Sequence, residues 1–212
     1  MDPARFETYM DSLCDDMPGY LRDIEEAALN EGIPIIRANV RRMLRLILNL
    51  KSPRNVLEIG TGAGFSAIYM RQYGAPDMHI TTIEKDERRF DMIKENIERA
   101  GAAECIKFTP GDAGKVLSDL TDSYDFIFMD AAKGQYINFL PDVKRVLAKG
   151  GVLFSDNVLR EGDILESRYA LERRNRTIHK RMREYMRAIT GDKELDTQVF
   201  PIDDGMAVSV KR

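Results

Sequence analysis

Asn55-Val56-Leu57-Glu58-Ile59-Gly60-Thr61-Gly62-Ala63-Gly64-Phe65-Ser66 passes from a β-rich apolar run, through three alternating glycines, into a helical pattern that continues to Tyr73. A buried strand, a turn that needs conformational freedom and a helix start are the opening of a βα unit. The alternation then repeats. Strands are expected at His79–Ile83, Ile106–Thr109 and Asp125–Met129, and a fifth after Gly150-Gly151. Helices are expected near Glu87–Ala100, Ala113–Leu120 and Tyr136–Leu147. Alternating units of this kind build a parallel sheet with right-handed crossovers and helices on both faces. Thr197–Pro201 and Ala207–Lys211 flank Asp203-Asp204-Gly205 and read as a hairpin, so the sheet should end in an antiparallel edge.

Three helices are expected ahead of this core: about Ala4–Cys14, one starting near Pro18, and one carrying Val40, Met43, Leu44, Ile47 and Leu48 at helical spacing, ended by Lys51-Ser52-Pro53. The 212 residues, with no evident linker, fit one α/β domain, residues 1–50 packing on a core of residues 55–212. The N-terminal segment lacks the apolar run of a signal peptide, and no apolar stretch approaches the roughly 18 residues that span a bilayer. Cys14 and Cys105 are neither a disulfide framework nor a metal pair. A cytoplasmic protein without membrane contact is the expectation. The net charge of −3 conceals an asymmetry. Arg168–Arg187 holds eight Lys/Arg against two Glu, leaving 24 basic against 33 acidic residues elsewhere. A basic stripe on an acidic body suits a localised anionic partner.

The glycine turn reads ExGxGxG rather than the GxGxxG of dinucleotide binders. Gly60 and Gly62 let backbone approach a ligand, with Ser66 in the first turn of the helix. An acid at Glu58 would repel a pyrophosphate but suit a ligand carrying an ammonium and a sulfonium. Glu84, at the end of the second strand, can accept from ribose hydroxyls. Asp112-Ala113, after the third strand, can meet an adenine amino group. Any one of these acids could be a solvated strand end. Together with the glycine turn they describe an S-adenosylmethionine site.

Two further apolar runs end in acid: Tyr124–Met129 at Asp130, and Gly151–Ser155 at Asp156-Asn157. Parallel strands bring both ends to the carboxyl edge of the sheet, where ligands bind in open α/β folds. Two carboxylates and an amide oxygen meeting there form a hard set suited to Mg²⁺ or another divalent ion. The alternative is strand-end acids that cap helices or face water. Lys133, three residues past Asp130, is either a surface lysine or a base within reach of the same substrate oxygen. A neighbouring cation would lower its pKa.

VLEIGTGAGFSA, TTIEKD, GDA, YDFIFMDAAKGQY and GGVLFSDNVL together resemble the metal-dependent O-methyltransferases typified by catechol and caffeoyl-CoA O-methyltransferases, over roughly Ile33–Arg212. The resemblance implies a Rossmann-like sheet of seven strands and an enzyme that is commonly a homodimer. It implies a metal held by Asp130, Asp156 and Asn157, with Lys133 and Asp130 catalytic and Asp130 also beside the methyl donor. Ile36 falls where relatives often place Met against the cofactor.

Within 158–189 an amphipathic helix is expected. Ile178, Met182, Tyr185, Met186 and Ile189 share one face, and Arg173, Arg176, Lys180, Arg183 and Arg187 fall within an arc of about 80° on the other. Such a stripe is either a solvated face or a phosphate-binding one. ESRYALERRNRTIHKRMREY resembles the bacterial branch that methylates 5-hydroxyuridine in tRNA, which implies tRNA as partner and Arg173, Arg176, Lys180 and Arg183 as its contacts. A small catechol-like or CoA-ester substrate is the alternative. Tyr136 and Tyr169 could stack on a base or pack in the core. His179 is expected to be structural or a minor phosphate contact.

Overall fold

The computed structural model describes residues 5, 8, 9, 12, 17–167 and 172–212. Arg5, Thr8, Tyr9 and Ser12 are helical, within the helix expected over Ala4–Cys14, whose other residues lie outside those described, as does Tyr169. Two helices, α1 (Gly19–Asn30) and α2 (Ala38–Lys51), precede the sheet. Helix α2 buries Val40, Leu44 and Leu48, a stripe with a four-residue repeat. It ends at Ser52 in the left-handed region, φ 46, whose amide returns to the Leu48 carbonyl just ahead of Pro53.

Strand β1 (Asn55–Ile59) is followed by α3 (Phe65–Tyr73), β2 (His79–Glu84), α4 (Phe90–Arg99), β3 (Ile106–Pro110), α5 (Ala113–Asp119), β4 (Tyr124–Met129), α6 (Tyr136–Val146) and β5 (Leu147–Ser155). Helix α7 (Arg176–Gly191) leads to β6 (Leu195–Phe200) and β7 (Met206–Lys211). The seven strands lie in the order β3-β2-β1-β4-β5-β7-β6. β1 to β5 pair in parallel, and β7 inserts antiparallel between β5 and β6. The expected architecture is thereby met. Chain order reverses between β1 and β4, which opens a crevice at their carboxyl ends.

Side chains of the central strands alternate between two apolar layers, since both faces of a parallel sheet are covered. Val56, Phe126, Phe128 and Phe154 meet α1 to α4, while Leu57, Ile59, Ile127, Met129 and Leu153 meet α5, α6 and α7. Element boundaries shift by a residue or two from the sequence reading. Two differences are larger. β5 begins before Gly150-Gly151 and takes the glycines into a register shift opposite β4. Arg173 lies in a 3₁₀ turn, Arg173–Asn175, ahead of α7, so the regular 100° spacing does not extend to it. Among the described residues, no helix is long and apolar enough to cross a membrane.

Candidate active site

The carboxyl ends of β1 to β4 enclose a cavity of about 610 Å³, within the range of small-molecule sites. Ile36, Gly60, Gly62, Ser66, Glu84, Asp112, Ala113, Asp130 and Lys133 all line it. Its first wall is the glycine loop. Gly60 has φ 99, and a Cβ there would lie 2.1 Å from the Asp130 carbonyl oxygen. Only glycine lets β1 end so close to β4. Gly62 has φ 59, and its amide donates to Glu84 Oε2 at 3.0 Å. Asn96 Nδ2, from the buried face of α4, donates to the Ala63 carbonyl at 2.9 Å and holds the far side of the loop.

Glu84 does more than face a ligand. Its Oε1 accepts from the amides of Lys85 and Asp86 at 2.9 and 3.0 Å, so the acid expected to meet a ribose also knits the loop to β2. Asp112 lines the cavity and caps α5, its Oδ1 accepting from the Gly114 amide at 3.0 Å. Pro34 and Ile35, which precede α2, join Ile36 as a wall that sequence spacing does not single out.

Glu58 departs from expectation. It is fully buried and does not line the cavity, so it lies beneath the glycine loop rather than against a ligand's charged end. Thr82 Oγ1 donates to Glu58 Oε2, and the Thr61 hydroxyl, 2.5 Å from Thr82 Oγ1, donates to Thr82 in turn. Glu58 Oε1 has no partner among the described residues. Burial first, with the charges of Asp130 and Glu84 adding, raises its carboxyl to about 8 against the hydrogen bond from Thr82 that lowers it. A neutral acid under the loop is the result. Thr61 and Thr82 carry no motif, which is why sequence reasoning misses this chain of hydroxyls.

The second group stands at the ends of β4 and β5. The Asp130 amide donates to the Ile59 carbonyl and the Asp156 amide to the Met129 carbonyl, both at 3.0 Å, so successive strands hand their terminal acids to one edge. Lys133, in the 3₁₀ turn Lys133–Gln135, places Nζ 2.7 Å from Asp130 Oδ1 and 2.5 Å from Asn157 Oδ1. Asn157 has φ 52, a left-handed conformation that asparagine tolerates, and its amide donates to Asp156 Oδ1 at 2.7 Å. The structure thus brings Asp130, Lys133, Asp156 and Asn157 together. Asp156 is buried, and that burial with the charge of Asp130 raises its carboxyl to about 7.

Those observations test the fit of a divalent ion. Oxygens of Asp130 and Asn157 already share one positive centre, the Lys133 ammonium, and Asp156 is a buried acid beside them. The donors are hard oxygens. No group of three or more His, Cys, Asp or Glu side chains forms a metal cluster among the described residues, so the fitting set is two carboxylates and an amide.

Tyr136 is buried rather than exposed for stacking. Its hydroxyl lies 3.0 and 3.1 Å from the carbonyl oxygens of Met129 and Asp156 and ties the ends of β4 and β5 together. His179 is likewise buried, its Nε2 3.2 Å from the Glu166 carbonyl oxygen, and is structural. On α7, Lys180 and Arg187 are exposed, as is Arg173 in the turn before it, while Arg176 and Arg183 are half-buried. Arg183 donates to the Ile164 carbonyl at 3.3 Å.

A family profile described as O-methyltransferase matches residues 13–212. A catechol O-methyltransferase of Niastella koreensis is 31% identical over 176 residues, which cover 78% of this chain and 79% of that protein. One from Mycobacterium tuberculosis is 29% identical over 77% of this chain and 76% of its own length. The Bacillus cereus O-methyltransferase solved with S-adenosylhomocysteine superposes with a TM-score of 0.86 at 21% identity, over 98% of this chain and 97% of that one, a likeness of fold. With a match spanning nearly its whole length, the chain belongs to the O-methyltransferase family.

Proposed function

We propose that this O-methyltransferase carries a methyl group from S-adenosylmethionine to a hydroxyl that shares a divalent cation with a neighbouring substrate oxygen. The observation that carries the reading is the Lys133 ammonium, bonded to both Asp130 and Asn157 at the edge of a cavity walled by a glycine loop. Gly60 and Gly62 admit the methionine end of the cofactor, Glu84 receives the ribose, Asp112 and Ala113 receive the adenine edge, and Ile36 and Ser66 close the wall. Asp130, Asp156 and Asn157 would hold the ion, which when bound favours an ionised, oriented substrate oxygen. Lys133 Nζ, three residues from Asp130, would first lose its ammonium proton to solvent, which a neighbouring cation favours, and the neutral amine then takes the hydroxyl proton as the oxygen attacks the sulfonium methyl in line. The neutral thioether then leaves.

The substrate we assign is 5-hydroxyuridine in tRNA, giving 5-methoxyuridine. Its 5-hydroxyl lies beside uracil O4, a chelating pair, and an unpaired loop base can be turned into a pocket. Arg181 ties α7 to the Lys133 turn by donating to the Gly134 carbonyl at 3.1 Å, and the exposed Arg173 just before that helix and Lys180 within it suit phosphate. A catechol-type small molecule is the second reading, favoured by the names of the curated relatives. Incubation with tRNA lacking the methoxy modification, and separately with catechols, each with and without chelator, decides between them. A methyl gain on uridine that chelator abolishes supports the first; turnover of catechol alone overturns it. Arg173→Ala with Lys180→Ala should weaken RNA binding at every salt concentration and flatten its salt dependence.

A further inference from the structure

The β6–β7 turn brings another acid to the same edge of the sheet. Asp203 sits in the left-handed region at φ 50. Asn39 Nδ2 donates to its Oδ1 at 2.9 Å, while Oδ2 is buried with no hydrogen-bond partner among the described residues. The turn is fastened to the segment that follows Asn157. The amides of Val158 and Leu159 donate to the carbonyls of Gly205 and Asp204, each at 2.9 Å. Gly205 is required for that contact, since a Cβ there would lie 2.2 Å from Leu159 Cγ. Asp203 is therefore fixed relative to the Asp156-Asn157 pair, and its charge acts on Asp156.

A buried carboxylate oxygen left unpartnered opposes folding by roughly 1–3 kcal/mol or more. Asp130, Asp156 and Asp203, when ionised, outnumber the one ammonium bonded within the group, that of Lys133. The excess is negative, which a cation offsets. The three carboxylates do not converge as a ligand cluster, so Asp203 acts from outside the ligand set. We propose that Asp203, oriented by Asn39, is a positioning acid of the cation site that strengthens ion binding at Asp130, Asp156 and Asn157 without ligating the ion. The inference rests on the divalent-ion reading above. Because Asn39 opens α2 just after the Pro34–Ile36 wall, the same tether joins that wall to the cation site.

The test is titration of the full-length, metal-free protein with Mn²⁺, following free Mn²⁺ by its paramagnetic resonance, beside thermal unfolding and S-adenosylhomocysteine affinity. Asp203→Asn keeps the shape and tolerates a left-handed backbone. Mn²⁺ binding should weaken about tenfold, the low end for an outer partner of a metal site. S-adenosylhomocysteine affinity should hold, and the metal-free melting temperature should rise because one of the like charges acting on Asp156 is gone. Asn39→Ala should weaken Mn²⁺ about threefold or more. A merely structural Asp203 would lower the melting temperature and leave Mn²⁺ affinity within about twofold of the parent, which overturns the proposal alone. Should Asp203→Asn not fold, Asn39→Ala decides by the same criterion. A parent protein that takes up no Mn²⁺ overturns the divalent-ion reading and this proposal together.

Discussion

Replacing Gly60 by alanine tests whether the glycine loop works by close approach or merely by backbone freedom, and Gly64 supplies the control. Both residues have positive φ, 99 at Gly60 and 87 at Gly64, so both alanine variants carry a left-handed penalty of roughly 1–2 kcal/mol. Alanine's smaller entropy loss offsets about 0.4–1 kcal/mol of it. At Gly64 the new methyl meets its nearest neighbour at 3.8 Å, ordinary contact, so a net loss of about 1 kcal/mol is expected. At Gly60 it would fall 2.1 Å from the Asp130 carbonyl oxygen and 2.8 Å from the carbonyl carbon. That backbone cannot retreat freely, because the Asp130 amide is bonded to the Ile59 carbonyl and the Gly60 amide to the Ile83 carbonyl. Parting β1 from β4 sacrifices hydrogen bonds worth about 1 kcal/mol each, or up to about 3 if a group is left buried and unpaired. A total near 4 kcal/mol follows, roughly 3 more than for Gly64→Ala. Urea unfolding of both variants measures the difference. Calorimetry with S-adenosylhomocysteine should show a loss beyond about tenfold for Gly60→Ala, since Asp130 moves with the backbone. Two variants within about 1 kcal/mol of each other would refute the steric argument.

Lys133→Met should reduce turnover by about 10²–10⁴, the range for a lost proton acceptor, while S-adenosylhomocysteine binding persists; loss of binding would make Lys133 a cofactor contact instead. Tyr136→Phe removes a hydroxyl shared by the Met129 and Asp156 carbonyls and should cost about 1 kcal/mol in denaturant unfolding, with turnover falling because both acid-bearing ends loosen. Glu58 gives a pH signature. Its folded carboxyl is raised from 4.5 to about 8, so the native state holds the proton more tightly and stability declines as pH climbs from about 4.5 to 8. In the metal-free protein Asp156 contributes with the same sign up to about 7, so the Glu58 share is clearest above that pH. Glu58→Gln should flatten the upper part by an amount on the order of a few kcal/mol, read from melting temperatures at pH 6 and pH 9; parallel profiles would show that Glu58 is ionised throughout.

The framework is legible because strand runs, glycines and helical spacing each carry a local cause. Val40, Leu44 and Leu48 declare the buried face of α2, and Asp130 and Asp156 declare strand ends because an apolar run stops there. What stays hidden depends on partners distant in sequence. The placement of Glu58 turns on Thr82, 24 residues away, and on a sheet that buries it. Tyr136 looks equally suited to a base or a core until β4 and β5 lie side by side. Asn96 leaves a faint signal, a polar residue between Ile93 and Ile97 on an apolar helical face, whose reason is the Ala63 carbonyl. The basic stripe shows the limit of periodicity. Spacing assigns Arg183 to the same face as Lys180, yet packing against the Ile164 carbonyl half-buries it.

Acids crowd this end of the sheet for a common electrostatic reason. Glu58, Glu84, Asp130, Asp156 and Asp203 repel one another where ionised, and burial first, with that repulsion adding, raises the carboxyls of Glu58 and Asp156. Burial raises the Glu58 carboxyl to about 8, so its place beneath the loop adds little charge at neutral pH and below. Glu84 spends its oxygens on backbone amides. The uncompensated charge is thus confined to Asp130, Asp156 and Asp203, beside the one ammonium that lines the cavity and bonds within the group. Under the proposed function a sulfonium donor and a divalent ion would both be cations, each stabilised by the same excess. Transfer would leave a neutral thioether, which that negative charge no longer attracts, so the charge that draws the donor in would not hold what remains of it.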